Sequence, residues 1–322
     1  MSYTLRPFHN QFDWDQFVKN AYNGNIFHQI KFLKYHQEKF QNKECFYFFE
    51  DEKGNATGLL SYLEHIENGE KTLKSPYGAS YGGIVSKKFH YDHNRKLIDS
   101  LISFLKANDF SKCRLTLPIS CSAAMNETMI FNYLEAGFKV INSDISSVVD
   151  LTQQCDTPHI FNSKMRNKMN YATKQKVRCV EKASIDDFYF LMKKTFDDKH
   201  GVEPTHTKEE WEYLCTTLPE YFWHNVAYIE DTPVAGLGNV VINDNMTSCF
   251  YLCQDLNQIK TRALTKLIMK SMVSAFKSGY RFYDMGTSSI NMKARANIFE
   301  FKESFGSFGN FRYTLEWQAN PI

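Results

Sequence analysis

The chain has 322 residues, of which 43% are hydrophobic, 15% aromatic and 23% charged, with a formal net charge of +2. This balance supports a real core and excludes disorder, while the near-neutral charge excludes a globally basic nucleic-acid binder, so no DNA partner is expected. The length favours two domains of similar size, with one large α/β unit as the alternative. No apolar run approaches a bilayer span, and the opening "MSYTLRPFHNQFDW" lacks the basic-then-apolar pattern of a signal peptide. No integral membrane segment and a cytoplasmic location are therefore expected. Eight cysteines without a CxxC pair fit reduced thiols, with no disulfide framework and no metal site. Cys249 and Cys253 in "CFYLC" would share a strand face as packing residues, and His90 and His93 lack a third ligand at a telling spacing.

In chain order, "FYFFED" (46–51) and "ATGLLSYLEH" (56–65) read as a hairpin around "EKGN". A helix over 94–109, the strand "CRLTLP", a helix over 126–138 stopped near Gly137, and the strand "SDISSVVDL" complete the first half. The stretch 151–163, "LTQQCDTPHIFNS", has the polar residues and Pro158 of a connection, so the boundary is placed between domains 1–155 and 156–322. The second half predicts helices over 188–200 and 207–218, the latter opened by a Thr-x-x-Glu capping box. Strands follow at "HNVAYIED", "TPVAGLGNVVI" and "MTSCFYLCQD", then a long helix from Ala263 and the strand "RFYDMG". "SLISFLK" (100–106) and "SMVSAFK" (271–277) match at both serines and the lysine, each on a helix leading into a short strand. Their offset of 171 residues, from Ser100 to Ser271, suggests two copies of one α/β unit.

At the C-terminus, Ile298, Phe301 and Phe305 line one face of a short helix that Gly306 would stop. Lys302 falls in its last turn, where it either complements the helix dipole or belongs to a site. Beyond the glycine, Phe311, Tyr313, Leu315 and Trp317 alternate with polar residues, as a strand with one buried face requires.

The sequence has no GxxxxGK[ST] loop, no GxGxxG after a strand, no GxSxG elbow and no HExxH, which argues against the commonest nucleotide, hydrolase and zinc-protease classes. Residues 163–182 carry seven basic side chains, among them Arg166 and Lys168, against the single acid Glu181. Such a cluster attracts phosphates on a nucleotide, a lipid-linked sugar or RNA, and otherwise serves as a solvated helix face. "QIKTRA" (258–263) sits between a strand and a long helix, where helix N-terminal amides would hold a pyrophosphate. Gln258, Thr261 and Ala263 resemble the Q/R-x-x-G-x-G/A loop with which GNAT acetyltransferases cradle coenzyme A. A threonine replaces the central glycine, and its β-branch resists close backbone approach. Asp284 in "YDMGTSS" ends a strand, where it would orient or deprotonate an attacking amine, or cap a turn with Gly286.

Taken in order, "NIFHQIKFLKYH", "SPYGASYGGIV" (75–85), "SKMRNKMNYATKQKV", "FYFLMKKTFDDKHGV", "YDMGTSS" and "FEFKESFG" resemble the FemAB/FemX-like transferases over nearly the whole chain. The resemblance implies an α/β (α+β) architecture of two GNAT-like domains in tandem, each a mixed, mostly antiparallel sheet flanked by helices. It also implies transfer of an aminoacyl group from aminoacyl-tRNA, or of an acyl group from acyl-CoA, to an amine on a small molecule or glycan precursor of the cell envelope, without a tightly bound cofactor. Phe301 and Lys302 match the family's C-terminal Phe-Lys, whose lysine offsets negative charge during transfer. Lys199 occupies the position of the acceptor-phosphate arginine, Lys34 that of an N-terminal basic anchor, and Tyr77 and Tyr81 fall in the cleft-lining motif. Two alternatives stand beside this: an acyl-CoA-dependent N-acyltransferase acting on an amino sugar, and a non-catalytic module whose basic face holds RNA or phospho-sugars.

Overall fold

The computed structural model describes residues 3–8, 10–40, 43–123, 126–154, 161, 163–200 and 203–319, without the side chains of 37, 38, 153, 154 and 198–200. Contacts divide the chain into two compact units, one of residues 1–145, 289–293 and 310–322, the other of 146–288 and 294–309. The division is discontinuous, where the sequence suggested one break between 155 and 156. Pro158 and most of that expected connection lie outside the described residues.

The first unit opens with β1 (Thr4–Pro7), α1 (Gln11–Asn20) and the short α2 (Ile30–Leu33). Next come β2 (Glu44–Glu50), β3 (Ala56–Glu67), β4 (Glu70–Lys74) and β5 (Val85–Ser86). The predicted β2–β3 hairpin is present in antiparallel register, Phe48 opposite Leu59, and Asp51 ties its turn by accepting from the amides of Lys53 and Asn55. Helix α3 (Tyr91–Ala107), β6 (Lys112–Thr116), α4 (Asn126–Glu135) and β7 (Lys139–Asp150) follow. Gly137 stops the chain after α4 at φ +93°, a conformation only glycine adopts without strain. Residues 146–150 of β7 belong to the second unit.

That second unit continues with α5 (Ser163–Lys174), β8 (Arg178–Glu181), α6 (Ile185–His200) and α7 (Lys208–Thr217), then β9 (Phe222–Ile229), β10 (Thr232–Asn243) and β11 (Met246–Gln254). The capping box of α7 forms in both directions between Thr207 and Glu210. Helix α8 (Ala263–Lys277) leads into β12 (Phe282–Thr287), followed by the two-residue strands β13 (Ser289–Ile290) and β14 (Lys293–Ala294), α9 (Ala296–Glu303) and β15 (Phe308–Gln318). Basic residues 163–182 thus form a helix and then an edge strand, not one solvated helix, with Met165 and Ala172 buried.

In the first unit the strand order is β1-β2-β3-β4-β6-β15-β7, with β5 paired to β3; in the second it is β7-β12-β11-β10-β9-β8. Strand β4 pairs with β6, and β11 with β12, in parallel. The pairs β1 with β2, β2 with β3, β3 with β4 and β5, β6 with β15, β7 with β12, β8 with β9, β9 with β10 and β10 with β11 are antiparallel. Each parallel pair is preceded by the helix carrying one copy of the repeated heptad, α3 before β6 and α8 before β12. A parallel pair needs such a crossover, and its recurrence accounts for the internal repeat. The core of the first unit includes Leu97, Leu101, Leu115, Tyr133 and Trp317, and that of the second Leu237, Leu267, Ile268, Met272 and Tyr283.

Strand β15 departs from the expected alternation. Leu315, Glu316 and Trp317 are all buried while Phe311 is 49% exposed. An interior strand between β6 and β7 is covered on both faces where it is paired, so period-two patterning fades. Buried Glu316 is matched by Arg114, whose Nε and Nη2 donate to Glu316 Oε2 at 2.8 and 2.6 Å.

Candidate functional site

Three of the residues singled out in the sequence meet at the end of β12. The parallel partner β11 and the antiparallel partner β7 bury Phe282, Tyr283, Asp284 and Met285. Asp284 stands opposite Val148, and Ser146 on the same β7 segment donates from Oγ to Asp284 Oδ1 at 2.6 Å. The amide of Gly286 donates to the same oxygen at 2.8 Å. Gly286 has φ +75° and turns the chain there.

Lys302 is 4% exposed, and its Nζ donates to the carbonyls of Gly286 and Thr287, both at 2.7 Å. Its ammonium therefore holds the end of β12 and not the carbonyls of its own helix. Two of its three N–H groups are used in this way. Burial lowers the Lys302 pKa, the neighbouring Cys249 and Asp284 oppose that shift, and Arg295 adds to it. Burial also pushes the Cys249 thiol up to about 12, so the sulfur stays protonated at neutral pH. Phe301 is half-buried against the core, its ring edge-on to Phe305 at 5.2 Å. The arrangement is a fixed buried cation, a carboxylate oriented by two donors, and a glycine turn linking them.

A second group of the same unit surrounds the start of α8. Gln258 and Thr261 lie in a 3-10 turn, Leu256–Thr261, and the left-handed residue is Arg262 at φ +61°, not Thr261. Thr261 Oγ1 donates to Gln258 O at 2.6 Å and accepts from the Ala263 amide at 3.3 Å, so its hydroxyl takes one of the amides expected to face a pyrophosphate. No side chain caps α8 at Arg262. Burial, then Arg262 and Lys164, lower the pKa of Lys168, which places three cations near this helix start. Arg166 turns away, donating from Nη1 to Phe161 O at 2.8 Å. The side chain of Lys199 lies outside the described residues.

The remaining candidates belong to the first unit and do not converge. Lys34 is exposed and donates to Gln11 Oε1 at 2.6 Å. Tyr77 is partly exposed and packs on Phe40 with ring centroids 4.3 Å apart, Lys39 lying over its ring. Tyr81 is buried, edge-on to Phe27 at 5.7 Å, with the Arg312 guanidinium 5.3 Å from its ring centre. The glycine between them, Gly78 at φ +69°, serves packing: a Cβ there would lie 1.7 Å from Tyr35 Oη.

No family model matches the sequence, and no curated protein does. Solved structures do match. FemX superposes with a TM-score of 0.73 at 12% identity, covering 98% of each chain. The fold is that of FemX. L-PGS from Bacillus licheniformis matches with a TM-score of 0.63 at 12% identity over 97% of this chain and 93% of its own. A tandem GNAT protein from the clavulanic acid biosynthesis pathway matches with a TM-score of 0.56 at 9% identity over the full length of both. The FemX-like, tandem GNAT architecture read from the ordered motifs is therefore present.

Among the described residues no helix is long and apolar enough to cross a membrane, and no cluster of three His, Cys, Asp or Glu side chains is placed to hold a metal. Sequence reading missed Ser146 and Cys249 as neighbours of Asp284 and Lys302, because contacts between residues far apart in the chain leave no local signal. It also passed over Arg262, although the stretch 258–263 was noted for its likeness to a coenzyme A loop, and it counted Lys164 only as one of the seven basic residues of 163–182.

Proposed function

We propose that the chain is an N-acyl or aminoacyl transferase, moving an activated acyl group from aminoacyl-tRNA or acyl-CoA to an amine on a cell-envelope precursor or amino sugar in the cytoplasm. The observation that carries this reading is Lys302: a buried cation, held by two carbonyls, with one N–H group uncommitted. The amine nitrogen attacks the ester or thioester carbonyl, forming the C–N bond and placing negative charge on the carbonyl oxygen. The remaining Lys302 N–H stabilises that oxyanion in surroundings where a fixed charge acts more strongly than in water. Collapse breaks the C–O or C–S bond. The proton lost by the amine passes through the Asp284 carboxylate to the departing oxygen or sulfur. No covalent enzyme intermediate is needed when the amine is held against an activated acyl group.

Lys168, Lys164, Arg262 and the uncapped start of α8 supply positive potential for donor phosphates. Thr261 favours the tRNA donor, since its hydroxyl occupies the Ala263 amide that a closely seated pyrophosphate would take. The test is a mass-spectrometric screen of the purified chain with charged tRNAs, acyl-CoAs, muramyl peptides and amino sugars. A new amide formed only with charged tRNA supports aminoacyl transfer; one formed only with acyl-CoA moves the reading to an N-acyltransferase. Salt-sensitive RNA binding without any acyl transfer would instead favour the binding-module alternative.

A further inference from the structure

We propose that the hairpin 289–294 is a membrane-surface contact, seating Ile290 and Met292 in the headgroup region of an anionic bilayer. Its turn residues, Asn291 and Met292, have φ +51° and +59°, so both lie in the left-handed region. A two-residue hairpin turn of this kind is best made by Asn-Gly, because a side chain at the second position crowds the backbone. Methionine there works against the turn and is left mostly in solvent: Met292 is 60% exposed and Ile290 52%. Strain retained without packing inside the fold points to a use for the side chain outside it.

The tip is rigid. Asp144 accepts from Ser289 Oγ at 2.6 Å and from the Asn291 and Met292 amides at 3.2 and 3.1 Å. These hydrogen bonds together outweigh burial and lower the Asp144 pKa. With that carboxylate committed to backing the turn, the exposed side chains at the tip are Ile290, Asn291, Met292 and Lys293, none of them acidic. The sequence from Met285 to Phe299 contains no acid, and Lys293 and Arg295, which follow the apolar pair in the chain, are exposed. Apolar residues flanked by cations match the boundary between acyl chains and anionic headgroups, where each basic side chain adds attraction that salt screens.

The test is flotation of the full chain with vesicles of phosphatidylglycerol and phosphatidylcholine in equal amounts, and with phosphatidylcholine alone. Wild type is expected to float with the anionic vesicles, less so at high salt, and not with the neutral ones. Met292→Gly is the decisive variant: relieving the left-handed methionine raises its Tm, while binding falls about tenfold because the buried side chain is gone. Ile290→Ser is expected to weaken binding to a similar extent with Tm unchanged. Absence of flotation by wild type overturns the proposal, as does a lower Tm for Met292→Gly, which would place that side chain in the fold. Sedimentation velocity supplies the other decisive outcome: self-association that Met292→Gly abolishes would assign the tip to a second copy of the chain. The outcome is independent of the transfer reaction, since nothing in it depends on turnover.

Discussion

Replacing Lys302 with methionine separates what the lysine holds from what it catalyses. The substitution keeps an unbranched side chain one atom shorter and removes two hydrogen bonds of 2.7 Å, leaving the Gly286 and Thr287 carbonyls without that partner in a site where the lysine is 4% exposed. Each lost charge-assisted bond costs about 1–3 kcal/mol, while relief from burying an ammonium returns part of the sum, so a net loss of about 1–3 kcal/mol is expected. For a unit of this size that corresponds to a fall in Tm of about 3–10 °C. The variant therefore folds at room temperature, and abolished transfer in it would be an effect on chemistry and not on folding. Stability against pH gives an independent check. Burial sets the folded pKa of Lys302 below its usual 10.5, so between the two values the unfolded chain binds more protons and stability rises with pH. That gain is complete at the ordinary lysine pKa and should be missing from Lys302→Met in denaturant titrations across the alkaline range. Full transfer activity in the variant would refute the catalytic role, and an unchanged Tm together with an unchanged alkaline profile would refute the anchoring role as well.

Two further outcomes test the first unit. Burial pushes the His28 pKa down to about 4, so the unfolded chain binds more protons between that value and 6.5. Stability present above pH 6.5 should fall by about 3 kcal/mol as pH drops to 4. His28→Gln should flatten that acid limb in urea titrations, and an unaltered slope would show that other groups cause it. Gly78→Ala would drive a Cβ into buried Tyr35 from a backbone at φ +69°, and is expected to cost about 2–4 kcal/mol in equilibrium unfolding. A loss below 0.5 kcal/mol, read on the scale of ordinary surface changes, would mean that the loop moves aside.

Much of the fold was legible because its signals are local. The hairpin at Asp51–Asn55, the stop at Gly137, the Thr207–Glu210 capping box and the repeated heptad each declare themselves within a few residues. Strands β1, β4 and β8 escaped because four or five residues, exposed in part, carry too little periodicity. Lys302 was picked out by its place among phenylalanines and by the family resemblance, yet its partners were not. Helix-dipole reasoning pointed to its own last turn, whereas the geometry carries the ammonium to residues 286 and 287.

By itself, the sequence determined the element types, the tandem repetition and the ordered motifs that lead to a FemX-like fold, since these follow from spacing along one chain. Tertiary structure alone decided that Ser146 orients Asp284, that Arg262 and not Thr261 takes the left-handed turn, and that β15 lies between β6 and β7. Those choices depend on which strands pair and in what register. A shift of one residue there reverses every side chain's face without altering the local pattern from which a strand is read.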